Sequence, residues 1–187
     1  MKKYEFTGET KQVGFFGNIT LKRIRATMEF GIIKIGDLGG WIEKEENLSH
    51  KGDAWVYGNA EVWGNAEVWG NAKVYGNAEV WGDAWVYGDA WVYGNAEVYG
   101  DAEVWGNAKV FSISHVLVVG PIGSRNDFTT FFRDKDSEIT VKCGCFLGKI
   151  DKFLEKVCET HGDSKYAIVY RTAAEIAKQQ IDLSEEN

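Results

Sequence analysis

Gly52 to Phe111 consists of ten uninterrupted six-residue repeats, each opened by a glycine: GDAWVY, GNAEVW, GNAEVW, GNAKVY, GNAEVW, GDAWVY, GDAWVY, GNAEVY, GDAEVW and GNAKVF. Alanine recurs from Ala54 to Ala108, and a valine follows each one two residues later, from Val56 to Val110. A spacing of two puts both on one face of a short extended segment. The Gly-Asn or Gly-Asp pair between segments tolerates positive φ, so the chain turns every hexad. A helical period near 3.6 cannot generate this pattern, whereas hexads are the signature of stacked β-coils. The repeat predicts a parallel β-helix with an Ala/Val interior, each strand pairing with the strand three repeats on, roughly 4.8 Å along the axis.

Three repeats per turn stack residues 18 apart and sort the outward side chains into three faces. One carries Trp55, Lys73, Trp91 and Lys109 beside Tyr57, Tyr75, Tyr93 and Phe111, and has no acid. A second carries Glu61, Glu79, Glu97 and then His115 beside Trp63, Trp81 and Tyr99; the third carries Glu67, Trp85 and Glu103 beside Trp69, Tyr87 and Trp105. One reading of the aromatics is a set of stacking ladders that stiffen the coil. The sharper one makes the acid-free face an oligomer interface, with lysines over aromatic rings. Seven of the eight tryptophans lie in the repeats and must largely point outward, so a partner surface, most simply a homotrimer, is the expectation.

The Val-x-Gly-Asn/Asp-Ala-x phase resembles the left-handed β-helix family of hexapeptide-repeat proteins, many of which are trimeric acyltransferases. Left-handedness is what the resemblance implies, not what the period dictates.

Residues 1–35 read as a β-rich N-terminal cap, with strands expected at Tyr4–Thr7, Val13–Phe16 and Ile19–Thr27. An open β-helix end is a sheet edge that needs covering. The β-helix itself is taken as 36–118, because Gly36 to Ile42 and Leu48 roughly keep the hexad phase and Ser114 and Val116 still hold the two inward positions. Residues 119–187 read as a small α+β domain. Val116–Val119 reads as a continuous apolar strand leading into it, and Phe128–Phe132 and Ile139–Cys143 as two more; one helix face is set by Ile150, Phe153, Leu154 and Val157, another by Tyr166, Val169, Tyr170, Ala173, Ile176 and Ala177. The fold class is therefore mainly β. The stretches LKRIRATMEFG, GDLGGWIE, NLSHKGDAWVYGNA, GPIGSR, CGCFLG and ETHGD look like modules of bacterial and prophage-encoded hexapeptide-repeat proteins, often labelled transferases or polymer-forming proteins without demonstrated activity.

Composition narrows the partners. A net charge of −7 and a pI near 5.1 disfavour a nucleic acid polymer, whose binding needs clustered cations. No apolar run approaches the roughly 18–20 residues of a membrane span, so no membrane partner is expected. The start, MKKYEFTGE, lacks an apolar h-region, and with three cysteines it points to a cytoplasmic location, the host cytoplasm for a phage-encoded chain.

The leading ligand-binding candidate is Gly120 to Arg125. Successive N–H groups of Ile122, Gly123 and Ser124 form an anion-cradling nest in this reading, with Ser124 and Arg125 adding donors and Asn126, Thr129 and Thr130 close behind. The competing reading is a tight turn around Pro121, the chain's only proline. His161, Tyr166 and Tyr170 are candidates to stack on a base, against the alternative that His161 merely complements a helix C-terminus. Cys143, Cys145 and Cys158 with His161 match zinc spacing poorly, because C-x-C replaces the usual pairing, so neither metal nor cofactor is expected. His115 is the weak catalytic candidate: the resembled acyltransferases use an outward histidine as general base at a subunit boundary. They also usually extrude a loop from the hexads, and here ten pass without insertion. The functional expectation is a non-enzymatic homotrimeric binding protein capturing a small anionic, nucleotide-like ligand, in one version a phage sponge for a nucleotide immune signal. Its alternatives are a structural or protein-interaction role for the aromatic faces, and acyl-CoA-dependent acyl transfer.

Overall fold

The computed structural model describes residues 2–14 and 16–184. Strands β1 (Tyr4–Val13) and β2 (Ile19–Ala26) pair antiparallel, and β3 (Leu38–Ile42) joins β2 to the first coil. Ten two-residue strands follow, one per hexad: β4 (Trp55–Val56), β5 (Glu61–Val62), β6 (Glu67–Val68), β7 (Lys73–Val74), β8 (Glu79–Val80), β9 (Trp85–Val86), β10 (Trp91–Val92), β11 (Glu97–Val98), β12 (Glu103–Val104) and β13 (Lys109–Val110). Their pairing is parallel between residues 18 apart, as in Trp91 with Lys73 and Lys109. The result is a parallel β-solenoid with three sheets. Face one is β4-β7-β10-β13, face two continues from β1-β2-β3 through β5-β8-β11, and face three is β6-β9-β12. The sorting by 18 is therefore the sorting found.

Inside, every hexad alanine and valine is 0–1% exposed. Each fully buried valine contributes about 1.5–3 kcal/mol relative to exposure. The corner glycines answer both demands of the turn: Gly76 has φ +75, and a Cβ there would sit 2.9 Å from the backbone nitrogen of Gly94 in the next coil.

The ladder has a direction. N–H groups of one coil donate to carbonyls of the next, as from Trp55 to Ala72 (3.0 Å) and from Glu79 to Ala96 (2.9 Å). The first coil therefore presents unanswered carbonyls and the last coil unanswered N–H groups, and a buried group of either kind costs about 1–3 kcal/mol. Donors close the N-terminal end. Lys3 Nζ reaches Ala54 O (2.7 Å) and Gly52 O (3.4 Å), while Asn47 Nδ2 reaches Ala66 O (2.8 Å) and Gly64 O (3.2 Å). Backbone N–H groups of Trp41, Glu43 and Ser49 serve Ala60, Val62 and Val68. The degenerate coil expected around Gly36 to Leu48 is thus present, with Leu48 bridging Val68 in parallel.

At the other end, β14 (Val116–Ile122), β15 (Asp127–Arg133), β16 (Ile139–Cys143) and β17 (Phe146–Lys149) form an antiparallel sheet, followed by α1 (Ile150–His161) and α2 (Lys165–Gln180). Alternation along β15 sends Phe132 into the solenoid core and Phe131 toward the helices. One side of the sheet therefore closes the last coil, and the other carries α1 and α2. Neither helix is long and apolar enough to cross a membrane.

Three expectations need correction. Val13–Phe16 is no separate strand: β1 runs through to Val13, while Phe15 lies outside the described residues. Strand β17 was not anticipated, because its four residues include Gly148 and merge into the apolar start of α1. The hexad phase does not continue through Ser114, since Ile113–His115 is a 3-10 turn that buries His115 instead.

Candidate functional site

The 3-10 turn decides the role of His115. Ser112 begins it by accepting from the Ser114 N–H, and the imidazole swings inward to 1% exposure. Its Nδ1 accepts from the Phe111 N–H (3.3 Å), and its ring meets Phe111 edge-on at 4.1 Å. This is an acceptor supplied to the last coil, which needs acceptors. The expected outward base is a buried end cap, with no surface toward a substrate. Thr130 does the same work one face over: its Oγ1 accepts from the Glu103 N–H (3.0 Å), at 2% exposure. Thr129, pointing the other way, is 0% exposed and bonds Cys143 Sγ (3.3 Å). Both threonines expected as ligand donors are engaged internally.

Gly120 to Asn126 form the end of β14 and the turn into β15, with Gly120–Pro121 cis and Gly123 and Asn126 at positive φ. The expected nest is occupied from within. A Cβ at Gly123 would lie 1.9 Å from the Tyr170 hydroxyl, and that hydroxyl is hydrogen-bonded to both backbone and side chain of Ser124 and to Cys143. Burial chiefly, then Cys143 beside it, holds the phenol above its ordinary range against the pull of Ser124. Tyr170 is therefore 4% exposed and part of the helix–sheet core, stacked on His161 at 5.7 Å. His161 also meets Tyr166 at 6.0 Å, so the structure brings these three rings together. Ser124, Arg125 and Asn126 remain exposed, with Arg125 lying over Gly144. Cys145 and Cys158 are exposed and Cys143 half-buried; among the described residues no three His, Cys, Asp or Glu groups converge on a metal position.

The solenoid faces carry the most continuous surface. Aromatic columns stack coil on coil: Trp63–Trp81–Tyr99 at 5.1 and 4.8 Å, Trp69–Tyr87–Trp105 at 4.3 and 5.1 Å, and Tyr75–Tyr93 at 4.8 Å. Stacked rings are thus present on every face. On face one, Trp55 departs from expectation, being 0% exposed under Tyr4 and Phe30 of the N-terminal cap, so it cannot meet a partner. Trp91 remains 37% exposed and is clamped by the ammonium groups of Lys73 (5.0 Å) and Lys109 (5.5 Å). Tyr57, Tyr75 and Phe111 are half-buried around it, and Tyr93 is 8% exposed. Face three has a feature that sequence reading missed. The β14–β15 hairpin leans over it, enclosing a cleft of about 420 Å³ between Trp85 and Phe128, with carboxylates from Glu67, Asp83, Asp101, Glu103 and Asp127. Glu103, one of these carboxylates, pairs with Lys142 (2.8 Å). No local pattern links the hairpin to residues some forty positions earlier.

Over 62 residues the chain is 32% identical to an uncharacterized acetyltransferase, YdcK, of Escherichia coli (strain K12). The match covers 30% of this chain and 19% of that protein. Together with the solenoid, it fits a left-handed β-helix hexapeptide-repeat protein. No family model matches.

Proposed function

We propose that this chain is a non-enzymatic binding protein: a rigid solenoid closed at both ends that self-associates, as a homotrimer, through face one. The observation that carries this is Trp91. A large exposed indole, fixed between two lysines on strands that carry no acid and bordered at the corner by Asp53 and Asp89, has the character of a binding hot spot, with its conformational freedom already reduced by the clamp. Acyl transfer, the activity in the relative's name, is not favoured for this chain, because the histidine expected as its base is an end cap. Capture of a nucleotide-like anion at Gly120 to Arg125, and with it the phage-sponge version, is left aside, because Tyr170, Glu103 and Cys143 already engage the Ser124, Thr130 and Thr129 groups on which it rested. Light scattering behind size exclusion tests the proposal: the wild type should run as an oligomer near 63 kDa, three times the 21.0 kDa chain. Trp91→Ala should shift it toward monomer. A wild type that stays monomeric at every concentration refutes it.

A further inference from the structure

The N-terminal closure of the solenoid contains a titratable ring that takes no direct part in answering the coil's carbonyls. We propose that this ring, His50, is an acid-sensitive latch: as a neutral imidazole it holds Lys3 and Tyr4 against the first coil, and on protonation it releases them and uncovers the end of that coil.

His50 follows the 3-10 turn Glu45–Asn47 and stacks on the Tyr4 ring at 4.4 Å. Its Nδ1 accepts from the Lys3 N–H (3.1 Å). Only an uncharged imidazole with its proton on Nε2 can accept there, because an imidazolium carries a proton on both nitrogens. The segment held in this way has two tasks. Lys3 sends its ammonium to the carbonyls of Gly52 and Ala54, and the Tyr4 hydroxyl donates to Glu45 O (3.0 Å) and Leu48 O (2.9 Å) while its ring covers Trp55 edge-on at 6.2 Å. One imidazole lone pair therefore fixes the backbone from which the open carbonyls are answered and Trp55 is roofed.

The other ring nitrogen adds nothing to the hold. Nε2 is buried without a hydrogen-bond partner among the described residues, and Glu45 Oε2 is 3.8 Å away, beyond bonding distance. The neutral ring is thus held in place by the Nδ1 bond and the Tyr4 stack. A second proton would turn Nδ1 into a donor facing the Lys3 N–H, and every charge nearby bears on whether it arrives. Glu45 favours it, whereas the ammonium groups of Lys2, which pairs with Glu45, and Lys3 oppose it. Glu46 and Glu67 line the same cleft of about 550 Å³, by which protons reach the ring, and Asp53 acts on Lys3. Burial is the chief cause that holds the imidazole below its ordinary 6.5, with Glu45 pulling it up and both lysines pulling it down. Once the segment is released the ring regains its ordinary value, so the released form binds more protons between the two. The latch is at full strength above 6.5 and is lost as pH falls through that window. Glu45, kept below its ordinary range chiefly by Lys2, stays charged throughout, and Lys3 titrates only near 8, so His50 is the group that changes state.

NMR of the full chain supplies the test. Long-range proton–nitrogen correlation at pH 7 should show His50, one of three histidines, as the Nε2–H tautomer. Amide hydrogen exchange, corrected for intrinsic rates, is then followed from pH 7 to pH 5. The reporters are the Lys3 N–H and the Thr27 N–H, which donates to Lys3 O (3.0 Å). Their protection should fall roughly tenfold for each unit by which the held ring lies below its released value. The Glu79 N–H, bonded to Ala96 O inside the ladder, should keep its protection. His50→Asn places a side-chain oxygen near the Nδ1 position and cannot titrate, so the Lys3 and Thr27 protection should no longer depend on pH. His50→Phe keeps a ring against Tyr4 without an acceptor and should leave the Lys3 N–H poorly protected at both ends of the range. An Nδ1–H tautomer, wild-type protection that is flat from pH 7 to pH 5, or a His50→Asn chain that loses protection as the wild type does, overturns the latch. Should either variant fail to fold, the wild-type tautomer and exchange profile decide by themselves.

Discussion

Lys3→Met tests the polarity of the solenoid most directly. Lys3 is 2% exposed, and its ammonium answers the carbonyls of Gly52 and Ala54 while lying 4.9 Å from the Phe30 ring. Methionine keeps the apolar stem and removes the donor. Two buried carbonyls left unanswered cost about 2–5 kcal/mol together. Against this stands the desolvation of the ammonium, which lowers the Lys3 pKa from its ordinary 10.5 to about 8, with Asp53 pulling weakly the other way. In the unfolded chain the amine holds its proton to 10.5, so between those values the unfolded state binds more protons and folding gains stability as pH rises. The gain from this one group between pH 7 and pH 10 is about 2–3 kcal/mol. Near pH 7 the two effects partly offset, and the variant should be only modestly less stable. By pH 10 the neutral amine still donates, the desolvation is gone, and the gap should have widened by that amount. Urea unfolding of both proteins at pH 7, 8, 9 and 10 measures the gap, with other titrations common to both. Curves that run parallel across this range would falsify the burial-lowered pKa, and a variant as stable as the wild type at pH 10 would refute the capping role.

Glu79→Gln should raise Tm at pH 7 by about 1–4 °C, corresponding to roughly 0.5–1 kcal/mol for a partly exposed like-charge column. Because its carboxyl is held above the ordinary range, the wild-type penalty sets in as pH rises through that pKa, and the two proteins should melt together at pH 3. Thr130→Val leaves the Glu103 N–H without an acceptor and should destabilise by about 1–3 kcal/mol in urea, as should His115→Phe for the Phe111 N–H. Gly123→Ala combines positive φ with a collision against the Tyr170 hydroxyl and should cost about 2–4 kcal/mol, read as lost tyrosine burial in near-UV circular dichroism.

The solenoid was legible because its rule is local: two inward positions and one turn in every six residues fix register, faces and core together. Strands β14, β15 and β16 and both helices were legible for similar reasons of period. What stayed hidden depends on which distant groups the ladder's ends require. His115 has the outward phase of a hexad, yet the need of the Phe111 N–H for an acceptor and the 3-10 turn at Ile113 override it. Thr129 and Thr130 look like donors waiting for a ligand until β15 is laid across the last coil. Trp55 looks like its exposed siblings at Trp91 until Tyr4 and Phe30 fold over it. Gly123 was read as one N–H of an anion nest; that its bareness admits a phenol from α2, some forty-seven residues on, is a tertiary fact.

The two closures are keyed to different azimuths of the coil: Lys3 and Asn47 answer particular carbonyls at one end, and Thr130 and His115 particular N–H groups at the other. Chain length is therefore quantised. Adding or removing three hexads, one whole turn, returns every cap to its own partner and only lengthens the rod. A single hexad, although indistinguishable from its neighbours in sequence, rotates the terminal layer by a third of a turn relative to the start and presents each cap to the wrong face. Internal duplication can lengthen this protein in steps of 18 residues, and the near-identity of its repeats makes such slippage easy to generate and the folded ends strict about what they accept.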